Sequence, residues 1–402
     1  MQFIKDENKV QKRKKTKLIV TAVVLSVVLV LAIFVACELN VSNLGIKSEG
    51  NKDKAYGYVL ANIEGIKEAN PRLVDISMLG SHDADTDKIS MKSDTDEYAS
   101  QGMKIVAGAG KGISYRFAKT QVLSVGEQLL QGSRYLHLKY SYTHGDWHGT
   151  HTLVGGVFSD YIKEIIEFCD THPGEIIVIK FQPCSLPNSK KTYADFRNYL
   201  GEISYNGKTI YDFVNFADTD VYAEGTGGVL IGDLRYNDIT VNGTKAGVVL
   251  IETRDKNDGY VPEMEGEDTP YKYKFFNLKS HVIDPWLERN STKGLINGIN
   301  ATCEKVEGNA ANYYKLRVIQ SQACLAYKHV EDIFNDLFGQ SLLRIAEKQN
   351  IIVIQDERIN RWLNAMPILM VDFINTDNGD YNKKVNALML ERNKTLVASI
   401  LG

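Results

Sequence analysis

The histidines of this chain are unevenly distributed, and their positions suggest a functional site. Four of the eight fall between positions 137 and 151, and a fifth, His82, follows a Gly-Ser turn and precedes Asp83. Imidazole titrates near neutral pH, so histidines brought together by a fold can transfer protons in both directions. The clustering therefore predicts proton-transfer chemistry that involves His82 and at least one histidine of the later group.

Three of the clustered histidines also have the spacing of metal ligands on a helix. They are His144, His148 and His151, and imidazole nitrogens are common zinc ligands. Gly145 and Gly149 interrupt the stretch, however, and predict a loop rather than a helix. We therefore predict no metal site here.

Charged side chains follow several apolar runs, which matters because the catalytic residues of parallel barrels lie at the carboxyl ends of strands. Lys139 ends one run, and His137 precedes it on the same face. Lys180 lies near the end of the next run, and Asp372 follows the last. Arg254 follows a middle run and is predicted from its position alone to contact substrate. The same prediction applies to Asp233, Arg235 and Glu252, which also lie at the ends of the middle runs.

Eight short β-rich runs after Pro71 predict the strands that would position these residues. They are LVDISML (73–79), RYLHLKY (134–140), EIIVIKF (175–181), GVLIGDL (228–234), GVVLIET (247–253), YKFFNL (273–278), LRVIQSQ (316–322) and PILMVDF (367–373). Near-continuous apolar runs such as IIVI and ILMV suit parallel strands, which are buried on both faces.

A helix between two of the runs sets the handedness of the fold. Ile162, Ile165, Ile166 and Cys169 recur at helical spacing, and the HisProGly sequence at 172–174 ends the helix just before a strand. A strand–helix–strand unit of this kind is right-handed and parallel. We therefore predict an α/β fold, a distorted TIM-like β/α barrel, over residues 71–402.

The amino terminus predicts a membrane anchor. Residues 1–17 are strongly basic and residues 18–37 carry no charge, and about 20 apolar residues suffice to cross a bilayer. The basic flank predicts a cytoplasmic amino terminus and an extracytoplasmic barrel at the cell membrane, with residues 38–70 as a linker. A lipoprotein signal ending at Cys37 and a cleaved signal of a secreted protein are the alternatives, and both also export the barrel.

The composition excludes several classes of protein. Hydrophobic residues make up 44% and charged residues 24% of the 402 residues, which argues against global disorder. A net charge of −3 argues against a nucleic-acid partner. None of the five cysteines forms a CxxC pair, so a zinc finger is excluded. Cys303 and Cys324 either pair in an oxidising compartment or remain free thiols.

Five segments resemble, in the same order, the catalytic domain of the phosphatidylinositol-specific phospholipase C family, over roughly residues 72 to 375. ISMLGSHDADT resembles the family's first-histidine turn. TQVLSVGEQLLQGSRYLHLKY resembles the helix and strand that follow that turn in the family. HTLVGG resembles the family's second-histidine segment, FSDYIKEIIEFCDTHPGEIIVIKF its helix and third strand, and MPILMVDFIN its last strand. The resemblance implies a TIM-like barrel.

The resemblance also implies a reaction and a set of roles. The reaction is cleavage of phosphatidylinositol, or a related inositol lipid, to diacylglycerol and a cyclic inositol phosphate. His82 would be the general base, oriented by Asp372. His151 would be the general acid, oriented by Asp83, although His148 is an alternative if the alignment of this loop slips by three residues.

The cation that stabilises the phosphate is implied to be a side chain. Calcium-using members have Asn after the first histidine, whereas this chain has Asp83, so the resemblance implies a metal-independent enzyme with no cofactor. Lys139 occupies the position of the family's arginine, and Lys180 and His137 are implied to contact substrate.

Two departures from the family pattern leave other functions open. The chain has His137 and Lys139 where members have Asp and Arg, and lysine lacks the two-pronged hydrogen bonding of arginine. One alternative is another lipid phosphodiesterase of the glycerophosphodiester type, which chelator sensitivity would distinguish. Another is a catalytically degraded surface protein that binds head groups. The expected partners are an inositol phospholipid or lipid-linked substrate and the membrane surface, and the protein is expected to be a monomer.

Overall fold

The structure, a computed structural model, contains two compact units, Met1–Ile46 and Lys47–Gly402. The residues that it describes are 14–33, 60–99, 104, 107–108, 111–184, 186–219, 228–254, 262–287, 289, 291–322, 341–376 and 380–402. Cys37, Cys324 and residues 38–59 of the predicted linker lie outside these ranges.

In the amino-terminal unit the described residues form one helix, α1, over Lys14–Ile33. Its mean hydropathy is 2.6, and it is the single helix among the described residues that is long and apolar enough to cross a membrane. A cleaved signal sequence has the same properties, so helix length and composition do not separate the alternatives.

The larger unit alternates helices and strands. The helices are α2 (Ile66–Ala69), α3 (Lys111–Ala118), α4 (Val125–Leu130), α5 (Phe158–Thr171), α6 (Leu186–Ser189), α7 (Tyr193–Glu202), α8 (Tyr236–Thr240), α9 (Leu278–His281), α10 (Thr292–Glu307), α11 (Leu342–Gln355), α12 (Ile359–Ala365) and α13 (Asp380–Leu401). The strands are β1 (Met78–Ser81), β2 (Ser133–Thr143), β3 (Asp146–His151), β4 (Leu153–Val157), β5 (Ile176–Pro183), β6 (Gly247–Glu252), β7 (Phe275–Asn277), β8 (Val282–Ile283), β9 (Leu316–Gln320) and β10 (Ile368–Val371).

Eight of the strands form a nearly closed parallel barrel, as predicted. Their order is β7-β6-β5-β2-β1-β10-β9-β8, and every neighbouring pair along this path is parallel. Among the described residues no ladder joins β7 to β8, so the wall is open at that seam. The predicted TIM-like barrel is therefore confirmed, in a distorted form.

Burial explains why the apolar runs become strands. The runs in β5 and β6 are completely buried from Ile176 to Phe181 and from Gly247 to Glu252, as expected for central parallel strands covered on both faces. Helix α5 begins at Phe158 and ends before Pro173, and its apolar stripe packs into the same core. The strands that carry the site are thus held at fixed positions.

Three sequence predictions about elements were wrong. Residues 228–234 form turns rather than a strand, and Leu230 is 45% exposed. The run 73–79 begins with a 3-10 helix at Leu73–Asp75, so β1 starts only at Met78. The histidine stretch 144–151 was predicted to be a loop, but its residues 146–151 form β3, which pairs with β2 and β4 in antiparallel hairpins.

The predicted linker also ends earlier than residue 70. Leu60, Ile63 and Ile66 are buried in the barrel core, in a 3-10 turn followed by α2. Apolar side chains at this spacing cover the core rather than solvent. The folded unit therefore includes residues from at least Leu60 onward.

Candidate active site

His82 is the first residue after β1, at the carboxyl end of the barrel, and its backbone is fixed by several hydrogen bonds. Its amide donates to the Val371 carbonyl at 3.0 Å. Its own carbonyl accepts from Thr120 Oγ1 at 3.2 Å and from Gln121 Nε2 at 3.1 Å. Asp83 adopts a φ of 42° in the left-handed region, which non-glycine residues rarely occupy. These contacts hold an unfavourable turn in place.

Asp372 lies directly behind His82. Its Oδ1 is 2.8 Å from His82 Nδ1, and both side chains are 7% exposed. Burial raises the pKa of Asp372, and the facing His82 opposes this. Because a carboxylate can only accept, a neutral His82 carries its proton on Nδ1 and presents the lone pair of Nε2 to the cavity. This is the tautomer that a general base requires.

The carboxylate of Asp83 is completely buried among three imidazoles and an ammonium group. Its Oδ1 lies 2.9 Å from His137 Nδ1 and 3.4 Å from His82 Nε2. Its Oδ2 lies 3.0 Å from Lys139 Nζ and 3.7 Å from His151 Nδ1. The nearest partners of Asp83 are therefore His137 and Lys139, not His151 as predicted.

These neighbours determine which groups carry charge. Burial by itself would raise the pKa of Asp83, but His82, Lys139, His151 and the hydrogen bond to His137 lower it well below its usual value. Burial would lower the pKa of Lys139, yet the Asp83 charge raises it. Asp83 and Lys139 consequently form a buried ion pair at neutral pH.

His151 ends β3 at the edge of the site, and its side chain is 28% exposed. Its Nδ1 lies 2.8 Å from the Ala118 carbonyl, which orients the ring in the place of the predicted carboxylate. Burial and the Lys139 charge lower the pKa of His151 to about 4. The imidazole is therefore neutral at neutral pH in the free protein.

His137 lies inside the barrel on β2, beside His82. Their ring centroids are 5.2 Å apart, and His137 Nε2 lies 2.8 Å from Gln182 Oε1 on β5. Burial and the nearby Lys180 lower the pKa of His137 to about 3. The position therefore supplies a neutral imidazole between Asp83 and Gln182.

A cavity of about 700 Å³ opens above these residues. His82, His137, Lys139 and Lys180 line it on the barrel side, and residues 278–279 and 282–286 line it along the seam between β7 and β8. The volume lies within the range of small-molecule sites. The seam thus widens the mouth of the barrel into a pocket.

Lys180 crosses this cavity to an acidic residue on the far side. Its Nζ lies 2.5 Å from Asp284 Oδ2, and the pair is 8% and 10% exposed. Gln320 holds the same segment by donating to the Asp284 carbonyl. Trp286, which is 43% exposed, stacks on His82 with centroids 5.5 Å apart. The pocket therefore offers an ion pair and an aromatic face to a ligand.

Arg254 does not reach the cavity, contrary to the prediction. Its guanidinium binds Glu252, with Nε at 2.8 Å from Oε2, and its side chain is 2% exposed. The same Glu252 takes a two-pronged hydrogen bond from Arg197. Buried ions require such partners, so this cluster stabilises the core on the outer side of β6. Asp233 and Arg235 also do not line the cavity.

The other clustered histidines lie away from Asp83. His148 lies in the middle of β3, opposite Val157 of β4, and His144 is an exposed turn residue 3.6 Å from Glu97. None of the three clustered histidines lines the cavity. His151 is distinguished from the other two by its position 3.7 Å from Asp83, which favours it over His148.

Sequence reasoning missed Gln182, Asp284, Trp286 and Gln320. Asp284 and Trp286 follow β8, which has only two residues and gives almost no strand pattern. The sequence signal for this part of the site was the run of Asp284, Pro285 and Trp286 directly after the apolar pair Val282–Ile283. Gln182 and Gln320 end strands that were predicted, and were passed over because amides are not titratable.

Comparison with known proteins finds likeness in structure only. No protein-family model matches the chain, and no curated protein sequence matches it significantly. A mutant of the phosphatidylinositol-specific phospholipase C from Staphylococcus aureus superimposes with a TM-score of 0.52 at 14% identity, covering 83% of this chain and 98% of that one. The phosphatidylinositol-specific phospholipase C from Listeria monocytogenes gives 0.49 at 14% identity, with the same coverage.

An identity of 14% establishes a shared fold and nothing finer. The Staphylococcus aureus protein is covered almost completely, so the likeness extends over a whole barrel rather than one motif. The chain therefore has the distorted TIM-like fold of that protein.

Proposed function

We propose that the protein cleaves phosphatidylinositol or a related inositol lipid to diacylglycerol and a cyclic inositol phosphate, without a metal ion. The observation that carries the proposal is the pair of imidazoles, His82 and His151, on either side of the buried Asp83–Lys139 ion pair. The likeness to bacterial phosphatidylinositol-specific phospholipases C supports the fold on which it rests.

His82 is the general base. The 2-hydroxyl oxygen of the inositol attacks phosphorus, and the new P–O bond closes the cyclic phosphate. His82 Nε2 takes the proton of that hydroxyl. Asp372, 2.8 Å from Nδ1, stabilises the imidazolium that results. General acid–base catalysis of this kind contributes typically 10²–10⁴-fold.

Lys139 supplies the positive charge that the phosphate requires. Lys139 lines the cavity, and its ammonium group forms an ion pair with Asp83, 3.0 Å away. A fixed charge in a site of low dielectric stabilises the negative charge that develops on the phosphate oxygens. Lysine does so as a point charge, without the fork of an arginine.

His151 is the general acid. The bond from phosphorus to the diacylglycerol oxygen breaks, and the imidazolium donates its proton to that oxygen. A pKa of about 4 leaves His151 neutral in the free protein. A bound phosphodiester brings a negative charge beside the ring, which raises the pKa toward the value an acid needs.

The seam side of the cavity binds the head group. Lys180 and Asp284 offer a donor and an acceptor to ring hydroxyls, and His137 with Gln182 offers a second polar pair. Trp286 presents an aromatic face beside His82 to the apolar face of an inositol ring. These contacts favour a polyhydroxylated head group over choline, which is cationic and has no ring hydroxyls.

We further propose that α1 anchors the protein in the cell membrane with the barrel outside. The basic residues before it favour this orientation. An anchored barrel acts at the surface where its lipid substrate lies. Oligomerisation is not required, because one chain supplies every residue of the proposed site.

The nature of the phosphorus product tests this reaction. The purified full chain in detergent micelles would be incubated with phosphatidylinositol, phosphatidylcholine or glycerophosphoinositol, and the products followed by ³¹P NMR. We expect a cyclic inositol phosphate from phosphatidylinositol and no product from phosphatidylcholine. Cleavage of glycerophosphoinositol with formation of glycerol phosphate would instead indicate a glycerophosphodiester phosphodiesterase and contradict the proposal.

A further inference from the structure

Three potential ligand atoms converge at the floor of the cavity. They are His82 Nε2, Asp83 Oδ1 and His137 Nδ1, and all lie within 4.8 Å of one another. Asp83 Oδ1 is 2.9 Å from His137 Nδ1 and 3.4 Å from His82 Nε2, and the three side chains are buried. A small cation in this space would displace the proton that His137 Nδ1 shares with Asp83.

Neighbouring side chains fix the orientation of both imidazoles. Asp372 accepts the proton of His82 Nδ1, which leaves Nε2 unprotonated. Gln182 Oε1 lies 2.8 Å from His137 Nε2 and can accept a proton there when a metal ion replaces the proton at His137 Nδ1. Two nitrogen lone pairs and a carboxylate oxygen would then face the ion.

We propose that these three atoms bind a divalent transition-metal ion of the Zn²⁺ type. Two imidazoles, one carboxylate and an open fourth position form a frequent zinc arrangement. Ligand atoms about 2.0–2.1 Å from a tetrahedral ion lie about 3.3 Å from one another, and the observed separations from Asp83 Oδ1 are 3.4 Å to His82 and 2.9 Å to His137.

The ligand set also determines which ions are excluded. Nitrogen ligands suit zinc and its neighbours, whereas Ca²⁺ and Mg²⁺ require mainly oxygen ligands. Asp372 and Gln182 act as the outer partners that fix the imidazole rings, as is usual around metal-bound histidines. Lys139 on the other oxygen of Asp83 opposes a second positive charge, so the ion should be removable by a chelator.

The metal ion would regulate the reaction rather than take part in it. Under the proposed function, the lone pair of His82 Nε2 is the base, and a bound metal ion occupies it. We therefore expect Zn²⁺ to inhibit lipid cleavage. This consequence rests on the proposed function, whereas binding of the ion does not.

Binding is tested directly with Co²⁺, whose visible absorption reports four-coordinate sites with nitrogen ligands. The full chain in detergent micelles would be stripped with a chelator, dialysed and titrated with Co²⁺, and then with Zn²⁺. We expect one equivalent of Co²⁺ to produce the absorption and one equivalent of Zn²⁺ to remove it, with no effect of millimolar Ca²⁺ or Mg²⁺. Absence of a Co²⁺ spectrum in the wild-type protein would overturn the proposal.

Three variants locate the ion. Asp372→Asn should weaken Co²⁺ binding by about 10–100-fold, the usual effect of losing an outer partner, and His137→Gln should weaken it more. His144→Gln removes an exposed histidine outside the cluster and should leave the titration unchanged. Circular dichroism establishes that each variant is folded. An unchanged titration in folded His137→Gln would show a simple His–Asp hydrogen bond at this position and refute the site.

Metal binding and catalysis can fail separately. One tightly bound Co²⁺ in a protein that cleaves no inositol lipid would support the site and contradict the proposed function. Lipid cleavage that persists in saturating Zn²⁺ would contradict the metal site.

Discussion

At the scale of single residues, the buried Asp83–Lys139 ion pair connects the two proposed catalytic imidazoles. The carboxylate contacts His137 and Lys139 closely and His82 and His151 at longer distance. A charge in such surroundings is strongly coupled to its neighbours. Substitutions here should therefore alter catalysis more than their small size suggests.

Lys139 provides the sharpest test of electrostatic stabilisation. Replacing it with Met keeps the aliphatic stem but removes the charge, and kcat on phosphatidylinositol should fall by about 10²–10³-fold. Lys139→Arg keeps the charge and should retain most of kcat. Thermal unfolding of both variants controls for the loss of the Asp83 ion pair. Equal activity of the Met variant and wild type would show that this charge does not act on the phosphate.

Asp87, in the turn after β1, provides a test of stability. Burial raises its pKa to about 7, with Lys88, Glu164 and Lys119 as the charged groups that face it. Because this value exceeds that of the unfolded chain, the native state binds more protons, and the free energy of unfolding falls as pH rises from about 4 through about 7. Stability is thus lost as the carboxyl group ionises.

Asp87→Asn should remove this loss. At about 1.4 kcal/mol per pKa unit, the variant should be more stable than wild type by a few kcal/mol at pH 8, and equal to it near pH 4. Thermal unfolding of the full chain in detergent at the two pH values measures the difference. Asp268→Asn, at an exposed site, should show no gain at pH 8. A gain of the same size at both pH values would contradict the assignment to ionisation of Asp87.

Residue type and order along the chain were enough to predict part of the site. His82 and Asp372 directly follow the short strands β1 and β10, and the structure brings them into contact. Arg254 satisfied the same rule but lies two residues beyond the end of β6, where it binds the buried Glu252 instead of lining the cavity. Trp286 and Gln182 required the three-dimensional arrangement, since Trp286 follows a strand of two residues and Gln182 is an uncharged amide.

At the scale of elements, the β3–β4 hairpin positions His151 against the barrel. Gly149 in β3 permits a close approach: an added Cβ would lie 2.8 Å from the Asp85 carbonyl and 2.9 Å from Tyr161 Cε2. Of the two glycines that suggested a loop, Gly149 is needed for this packing, whereas Gly145 lies in the turn between β2 and β3 with a φ of 85°. A glycine pattern alone cannot distinguish a loop from a strand that lies against another backbone.

Gly149→Ala should therefore displace the hairpin. Crowding a packed site costs about 1–3 kcal/mol, and kcat should fall because His151 moves from the phosphate. Gly308→Ala, whose added Cβ would meet atoms no closer than 3.5 Å, is the matched control. Thermal unfolding and lipid cleavage would be measured together. Unchanged stability in the Gly149 variant would show that the hairpin accommodates the methyl group.

The open seam between β7 and β8 was not predicted. β7 lies within the predicted run 273–278, but β8 has only two residues, far fewer than the apolar runs that marked β5 and β6. Asp284, directly after β8, is held by contacts with Lys180 and Gln320, which are distant from it in sequence. The central strands followed from local pattern, whereas the open wall followed from tertiary contacts.

At the scale of the whole molecule, the apolar helix α1 and the barrel belong to separate compact units. The length and hydropathy of α1 suit a membrane span, and its apolar side chains are exposed along its whole length. The distribution of hydrophobic residues predicted both the apolar helix and the barrel. The helix corresponds to one continuous apolar run, whereas the barrel corresponds to many short apolar runs.

Charge placed within α1 tests the proposed anchor. Each arginine near the centre of a span costs about 2.5–3.5 kcal/mol, so Val24→Arg with Val28→Arg should release the protein from the membrane fraction. Thr395→Arg with Ser399→Arg adds the same charge to exposed positions of α13 and should leave the protein in that fraction. Fractionation in high salt followed by immunoblotting measures both. Retention of the α1 double variant would contradict a spanning anchor.

The most direct test of metal-independent two-histidine catalysis is the release of inositol phosphate from phosphatidylinositol micelles in excess chelator. The wild-type chain would be compared with His82→Gln, His151→Gln and the exposed-site control His144→Gln. We predict activity in wild type and the control, and a loss of at least about 10²-fold in the other two. Inactivity of the chelated wild type with recovery on adding a metal ion, or full activity of His82→Gln, would contradict the account.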